Sequence, residues 1–251
     1  MATEHAIGID IGGTGIKGAV VDLATGELVT ERRKVRTPEG ARPTDLLRAT
    51  EELLTTIDAM VGGRKLPLGV CFPAIVKRGR TLSAANISKE WIGLPAEELF
   101  EETLGRDIHF INDADAAGYA ESRFGAAAGV DGLVILTTLG TGIGSALIYD
   151  GVLVPNSELG HLEIDGHDAE SRAAYSARER EELTWEKWAK RLQRYYSHVE
   201  FIFSPDLFVV GGGVSKHHEE FLPLLDLKTP IVPAVHRNNA GILGAAALAI
   251  R

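Results

Sequence analysis

The feature that most constrains this chain is a cluster of glycines between two apolar runs near its start. The runs 6–9 and 19–21 flank residues 10–18, which read DIGGTGIKG. Because β-branched residues and a second turn follow the glycines, the pattern predicts a tight bend between two strands. Glycine adopts positive φ at little cost and lets backbone N–H groups approach an anion. With the cation of Lys17 and the carboxylate of Asp10, the bend predicts a site for phosphate and magnesium.

Two better-known glycine patterns do not fit this stretch. Gly13, Gly15 and Gly18 have the spacing of the dinucleotide-binding fingerprint. That fingerprint requires a helix to begin at the loop, and a hairpin does not provide one. The Walker pattern also fails because Gly18, and not Ser or Thr, follows Lys17. A glycine-rich hairpin without a ligand is the alternative interpretation.

The composition limits the classes of protein to which this chain can belong. The 251 residues are 45% hydrophobic and 24% charged, as in globular proteins of one or two domains. A net charge of −9 argues against binding to nucleic acid, which normally requires a basic face. The single cysteine, Cys71, excludes an intrachain disulfide and a thiolate metal cluster, and its apolar surroundings predict a buried side chain. We find no leader peptide and no apolar run of membrane-spanning length, so we expect a cytoplasmic protein without membrane contact.

The glycine theme of the first half recurs in the second. Gly140–Ile143 repeats the residues of Gly13–Ile16 and follows a strand predicted over 133–138. Two similar hairpins, each opening one half of the chain, predict a duplicated architecture with both bends on one phosphate chain. A third run, Gly211–Gly213, ends a strand predicted over 207–210. Either a flat ligand against the backbone or a tight strand-to-helix turn would require those glycines.

Local patterns predict further elements. Alternating charges predict a third strand over 27–35, and helical spacing predicts a helix capped by Thr44. Large apolar side chains three or four residues apart predict a long core-facing helix over 184–203. Asn239 is expected to cap a final helix over 240–250.

Two polar clusters are candidates for chemistry. Asn112 and Asp113 separate a predicted strand from a helical run, where a carboxylate can accept a proton from a substrate hydroxyl or simply cap the helix. Glu158 and His161 lie three residues apart and can bracket neighbouring hydroxyls of a sugar. A metal site that includes His161, or a surface turn with salt bridges, is the alternative. Glu170 is a further candidate sugar contact.

Taken in order, these motifs resemble those of the ROK sugar kinases, in the superfamily of actin, hexokinase and chaperone ATPases. The motifs are Asp10–Thr14, Asn112–Ala116, Leu139–Gly144, Glu158–His161 and Val210–Ser215. The resemblance implies an α/β, actin-like (ribonuclease H-like) fold of two lobes, with two mixed sheets flanked by helices and a central cleft. It implies a small lobe over 1–113, on which the final helix 239–251 packs, and a larger lobe over 114–238.

The resemblance also implies roles for the candidate residues. Asp113 would be the catalytic base for the 6-hydroxyl of glucose, and the sugar would also contact Asn112, Glu158, His161 and Glu170. The residues expected to bind phosphate are Gly12, Gly13, Thr14, Gly15, Lys17, Thr138, Gly140, Thr141 and Gly142. Those expected to bind a nucleotide are Gly211, Gly212 and Gly213. Asp10 would hold Mg²⁺. Many ROK proteins bind zinc through the motif histidine and three downstream cysteines, which this chain lacks, so no zinc is expected.

Within that family the chain resembles the members that phosphorylate glucose with inorganic polyphosphate. The segments that carry this resemblance are Ile16–Gly18, Ala85–Gly93, Asn156–Glu158, Trp185–Lys190 and Thr229–Ala234. A polyphosphate chain needs a cationic track beyond the terminal phosphate. The candidates for it are Lys77, Arg78, Arg80, Lys89, Lys216, His217 and His218. The resemblance further suggests a homodimer.

Three alternatives remain open at this point. The nearest is a strictly ATP-dependent ROK glucokinase or glucomannokinase. A ROK-type sugar-sensing repressor would need a DNA-binding region ahead of the first glycine motif, which begins within the first dozen residues. An actin-like or chaperone-like ATPase is disfavoured by the sugar motif at Glu158–His161.

Overall fold

The structure, a computed structural model, describes residues 5–250. The strands are β1 (His5–Gly12), β2 (Gly15–Asp22), β3 (Glu27–Leu28), β4 (Arg33–Arg36), β5 (Leu68–Phe72), β6 (Val76–Lys77), β7 (Arg80–Thr81), β8 (His109–Asn112), β9 (Leu133–Leu139), β10 (Ile143–Tyr149), β11 (Val152–Val154), β12 (Glu163–Ile164), β13 (His167–Asp168), β14 (Leu207–Gly211) and β15 (Ile231–Pro233). The α-helices are α1 (Pro43–Met60), α2 (Ala96–Leu104), α3 (Asp113–Phe124), α4 (Ala169–Ala173), α5 (Tyr175–Arg180), α6 (Trp185–Phe203) and α7 (Ala240–Leu248). Short 3-10 helices include Leu159–His161 and Gly213–Glu220.

The chain divides into two compact units. The first comprises Met1–Ala120 and Asn239–Arg251, and the second comprises Glu121–Asn238. None of the helices within residues 5–250 is long and apolar enough to span a membrane.

The first unit is built on a mixed sheet in the order β3-β2-β1-β5-β8, with β4 also paired to β2. Strands β1 and β2 are antiparallel, whereas β1, β5 and β8 are parallel. Because side chains alternate along a strand, Ile7, Ile9 and Ile11 enter a core with residues of α1 and α2. Gly8 faces the opposite side, where α7 packs so closely that a Cβ on Gly8 would collide with the carbonyl oxygen of Ile242.

The second unit repeats this arrangement. Its sheet runs β11-β10-β9-β14-β15, with β9, β10 and β11 antiparallel and β9, β14 and β15 parallel. Helix α6 packs against it through buried side chains that include Trp188, Leu192 and Tyr196. The Tyr196 hydroxyl lies 2.6 Å from that of Thr137 on β9. The duplicated architecture and the α/β class with two mixed sheets are therefore confirmed.

Helix α6 begins and ends within one residue of its predicted bounds, and the Thr184 hydroxyl caps it by accepting the N–H of Lys187. Other local predictions were wrong in detail. The third strand, predicted over 27–35, is divided into β3 and β4. The division arises because the N–H of Val20 on β2 donates to the hydroxyl of Thr30 and not to a backbone carbonyl of a continuous strand. Helix α1 begins at Pro43, so Thr44 lies inside it and is not its cap. Asn239 precedes α7 without capping it, and its side chain accepts a hydrogen bond from Arg32 instead.

Candidate active site

In the first unit, polar side chains gather at the carboxyl ends of the parallel strands β1, β5 and β8. Asp10 and Cys71 are register partners on β1 and β5, and Asp113 follows the end of β8 as the first residue of α3. Ligands of α/β proteins bind outside the carboxyl ends of such strands. The topology thus brings together residues that are 61 and 103 positions from Asp10 in the sequence.

The carboxylate of Asp10 is held by two neighbours. Its Oδ2 accepts a hydrogen bond from Lys17 at 3.3 Å, and its Oδ1 lies 3.6 Å from the Cys71 sulfur. Burial raises the pKa of the Cys71 thiol well above its ordinary value, and the carboxylates of Asp10 and Asp113 raise it further. Cys71 therefore stays a neutral thiol, which agrees with the predicted buried, non-catalytic role.

The Asp10 carboxylate fits a magnesium ion. Mg²⁺ prefers oxygen ligands and is commonly held by one or two carboxylates together with waters and phosphate oxygens. The Asp10 side chain is 17% exposed, so it keeps access to solvent, and each of its oxygens has a lone pair beyond the contacts just described. Asp113 supplies a second, half-buried carboxylate at the same sheet edge.

The first glycine bend joins β1 to β2 through Gly13 and Thr14. The positive φ expected there is absent, since none of Gly12, Gly13 and Gly15 adopts it. The bend needs glycine for space instead: a Cβ on Gly13 would lie 2.9 Å from the carbonyl oxygen of Asn86. Within the described residues, no protein acceptor takes the N–H groups of Gly13 and Thr14. These amides can face an anion.

Asn112 has a structural role that the sequence did not separate from sugar binding. Its Oδ1 accepts the N–H groups of Ala114 at 2.8 Å and Asp115 at 3.0 Å, so it caps α3. Its amide nitrogen donates to the carbonyl oxygen of Ala74 at 3.0 Å. Of the pair, Asn112 is therefore the cap, which leaves the half-buried Asp113 as the better candidate for chemistry.

The second glycine bend, in the second unit, is held by side chains from α4 and α5. Glu170 accepts the N–H of Ile143 at 2.9 Å, and its carboxylate occupies the space that a Cβ on Gly142 would need. The Ser176 hydroxyl donates to the carbonyl oxygen of Thr141 at 2.6 Å, and the backbone N–H of Ser176 donates to Gly140. Sequence reasoning missed Ser176, because an isolated serine in a polar segment belongs to no motif that would mark it.

The sugar motif packs beside this bend. Gly160 lies directly on β10, where a Cβ would collide with the carbonyl oxygen of Ile143. Burial raises the pKa of the Glu158 carboxyl; the imidazole of His161 opposes the rise and the carboxylate of Glu170 adds to it. A hydrogen bond from Nδ1 to Asp168 at 2.8 Å raises the pKa of His161. Glu158, His161 and Glu170 therefore form one electrostatically coupled cluster.

One residue of this cluster, His161, also belongs to the alternative interpretation as a metal site. Ligand atoms of His161, Asp168 and Glu170 lie within 4.8 Å of one another. His167, a further histidine near this cluster in the sequence, contacts the guanidinium of Arg172. Asp168 and Glu170 already accept hydrogen bonds from His161 and Ile143, so the arrangement is explained without a metal.

The third glycine run satisfies a structural need at its centre. Gly212 has φ +82°, and a Cβ there would lie 2.5 Å from the carbonyl oxygen of Leu139. Gly211 pairs with Thr138 of β9, which places that predicted phosphate ligand between the second bend and this turn. Gly213 has open space where a side chain would be. The tight turn thus accounts for Gly212, while Gly213 leaves room for a ligand.

Comparison with known proteins agrees with this geometry. A family model described as "ROK family" matches residues 6–172. The chain belongs to the ROK family. A polyphosphate glucokinase of Mycobacterium tuberculosis (strain CDC 1551 / Oshkosh) is 46% identical over 97% of this chain and 90% of its own length.

Solved structures of ROK proteins agree as well. An inorganic polyphosphate/ATP-glucomannokinase from Arthrobacter sp. strain KM is 55% identical, with a TM-score of 0.94 over 98% of both chains. A ROK family glucokinase from Streptomyces griseus, in complex with glucose and AMPPNP, is 25% identical, with a TM-score of 0.83 over 97% of this chain and 98% of that chain. The resemblance seen in the five motifs and the actin-like fold class are confirmed.

Proposed function

We propose that the chain phosphorylates glucose at O6, with inorganic polyphosphate as the phosphoryl donor and ATP as a second donor. The observation that carries the proposal is the gathering of Asp10, Lys17 and Asp113 at one sheet edge beside the first glycine bend. The 46% identity to a polyphosphate glucokinase supports the donor and the acceptor. The Arthrobacter glucomannokinase supports ATP as the second donor and mannose as a second acceptor.

Each residue then has a defined task. Asp113 accepts the proton of the sugar 6-hydroxyl as that oxygen attacks the terminal phosphorus, and the bond to the bridging oxygen of the donor breaks. Glu158 and His161 orient sugar hydroxyls, with Glu170 as a further contact. The amides of both glycine bends and Lys17 neutralise phosphate charge, which is the main catalytic contribution in phosphoryl transfer.

Magnesium belongs to the same proposal. Asp10, with Asp113 nearby, would hold Mg²⁺, which offsets negative charge on the transferring phosphoryl group. We further propose that the protein contains no structural zinc and forms a homodimer. When ATP is the donor, the Gly211–Gly213 turn would contact the nucleotide. We also propose that the protein acts in the cytoplasm.

The test measures glucose 6-phosphate formed by purified protein with Mg²⁺, with long-chain polyphosphate or ATP in separate reactions. We expect product with polyphosphate under nucleotide-free conditions, and product with ATP as well. Product with ATP alone would replace the donor assignment by that of an ATP-dependent glucokinase. ATP hydrolysis without glucose, and no sugar phosphate, would contradict the sugar kinase itself.

The variant Asp113→Asn tests the base. Loss of a positioned general base lowers turnover by roughly 10²–10⁴-fold, while glucose binding measured by calorimetry should persist. Asp107→Asn, an exposed aspartate of the same unit, is the matched control and should keep normal turnover. Turnover of Asp113→Asn within a few-fold of the parent would remove Asp113 from the role.

A further inference from the structure

The first unit carries a strongly basic strand beside the first glycine bend. Strand β4 and the residue before it read Arg32-Arg33-Lys34-Val35-Arg36, and all of these except Val35 are exposed. The chain as a whole has a net charge of −9, so this concentration of cations runs against the general balance. Val35 packs on the hydrophobic core, which fixes the strand against β2.

The strand register aligns these cations with the bend. Lys34 lies directly opposite Lys17, and Arg36 lies opposite Gly15. The Lys34 side chain crosses over Gly15, where a Cβ would be 2.5 Å from Cε of the lysine and 3.4 Å from its Nζ. Gly15 is thus the residue whose missing side chain lets an ammonium group lie over the bend.

Some of the cations beside the bend are paired with carboxylates of the protein, whereas Lys34 and Arg36 are not, as far as residues 5–250 show. Lys17 is paired with Asp10, and Arg33 with Glu31 at 3.3 Å. Within residues 5–250, neither Lys34 nor Arg36 has an ion pair or a side-chain hydrogen bond. Like charges directly opposite each other on neighbouring strands are destabilising. A bound polyanion would therefore reduce the repulsion between the facing ammonium groups of Lys17 and Lys34.

A cavity of about 440 Å³ adjoins the row of cations. It is lined by Gly13 and Thr14 of the bend, by Arg36 and Thr37, and by Asn86 and Ser88. The cavity, which Glu39 also lines, therefore leads from the bend to Arg36. A single phosphate group does not need this space, whereas a chain that continues past the bend does.

Two of the track residues considered from sequence are occupied elsewhere. Arg80 donates to the carbonyl oxygen of Gly93 at 2.7 Å, and Lys89 donates to that of Ala84 at 2.8 Å. These bonds fix local loops, whereas Lys34 and Arg36 have no such task.

We propose that Lys34 and Arg36 bind the phosphate units that follow the transferred one, and so form the first part of a polyphosphate track. The proposal rests on the proposed function, because it assigns a site to that donor. Lysine supplies a mobile point charge and arginine a planar fork that matches phosphate oxygens. The residues make no bond to the reacting phosphorus; they select for donors longer than the bend can hold.

The test compares Lys34→Ala, Arg36→Ala and the double variant with the parent, using long-chain polyphosphate and tripolyphosphate as donors. Loss of one charge-assisted contact should raise the KM for long-chain polyphosphate about tenfold. The KM for tripolyphosphate should rise by a smaller factor. Each lost contact should also reduce the slope of log KM against log salt by about 0.7 to 0.9. Lys34→Arg should restore most of the loss.

Lys65→Ala is the matched control, because Lys65 is an exposed lysine of the same unit that belongs to neither candidate track, and Lys77→Ala tests the other candidate track. Parent-like KM and salt slope in the double variant would overturn the proposal, and a raised KM in Lys77→Ala would move the track to β6 and β7. After either outcome, the basic residues of β4 would serve only to protect an edge strand from pairing with another chain. A parent protein that makes no product with polyphosphate would overturn both this proposal and the donor assignment.

Discussion

At the scale of single residues, the proposed function makes Glu158 the group whose protonation most directly affects sugar binding. An ionised carboxylate accepts hydrogen bonds from two sugar hydroxyls, whereas the protonated acid loses part of that capacity. Because burial raises the pKa of Glu158, its protonation begins at a higher pH than for an exposed glutamate. The hydrogen bond to Asp168 raises the pKa of His161, so the imidazole keeps its proton to a higher pH than a free histidine does.

We therefore expect the KM for glucose to rise as pH falls towards the raised pKa of Glu158. The measurement is KM for glucose against pH at saturating donor. Glu158→Gln should have a high KM that no longer changes with pH in this range. Glu163→Gln, an exposed neighbour, is the control and should keep the parent profile. An acid rise that persists in Glu158→Gln would assign the titration to another group.

The glycines of the motifs show at the same scale why a correct pattern can have a different physical cause. The first bend was expected to require positive φ, yet its glycines are needed because Asn86 and Lys34 pass too close for a side chain. Gly160 and Gly212 likewise meet backbone atoms of Ile143 and Leu139. The partners of these contacts are distant in sequence, so no local pattern could name them.

At the scale of elements, the cap of α3 links the stability of the helix to the position of Asp113, the proposed catalytic base. Asn112 holds the first turn of the helix that begins with Asp113. Loss of the Asn112 side chain takes the capping acceptor from the N–H of Asp115 and leaves the N–H of Ala114 with Asp113 Oδ1, at 2.9 Å, as its side-chain acceptor. The position of Asp113 thus depends on a neighbour that was expected mainly to touch sugar.

Asn112→Ala should lower the free energy of unfolding by about 0.5–2 kcal/mol. The measurement is urea denaturation followed by circular dichroism, without sugar present. Asn112→Ser, which keeps a capping oxygen, should recover most of the loss. Equal stability of Asn112→Ala and the parent would show that the cap contributes nothing and that the residue serves the ligand alone.

Elements with a strong local signal were predictable. The spacing of large apolar side chains predicted α6, and the strand predicted over 207–210 corresponds to β14. The break between β3 and β4 was not predictable, because it depends on the Thr30 hydroxyl meeting a strand ten residues earlier in the chain. Helices α4 and α5 are short, and their residues carry no periodic apolar pattern long enough to identify them.

At the scale of the whole molecule, the two sheets have the same strand order and the same pattern of parallel and antiparallel pairing. The repeat was visible in the sequence only as Gly13–Ile16 and Gly140–Ile143. Each unit therefore has a glycine bend in its antiparallel hairpin. The first strand of that hairpin, β1 or β9, also pairs in parallel with the next strand of the sheet.

The proposed homodimer is tested at this scale. Light scattering coupled to size-exclusion chromatography should give a mass of twice the 27.0 kDa of the chain, independent of loading over a tenfold range. A mass that stays at that of one chain at every loading would contradict the dimer. Lys65→Ala, a change at an exposed lysine outside the proposed binding residues, serves as a control for the effect of surface charge on elution.

The sequence by itself determined the family, the α/β class, the repeat of two hairpins and the motif residues, because these depend on residue types at short spacing. Only the tertiary structure decided which residues share a site. It placed Cys71 and Asp113 beside Asp10, gave Asn112 to the helix cap, and laid Lys34 over Gly15. Strand register and close backbone packing produce these contacts between distant parts of the chain, and neither is encoded in any local pattern.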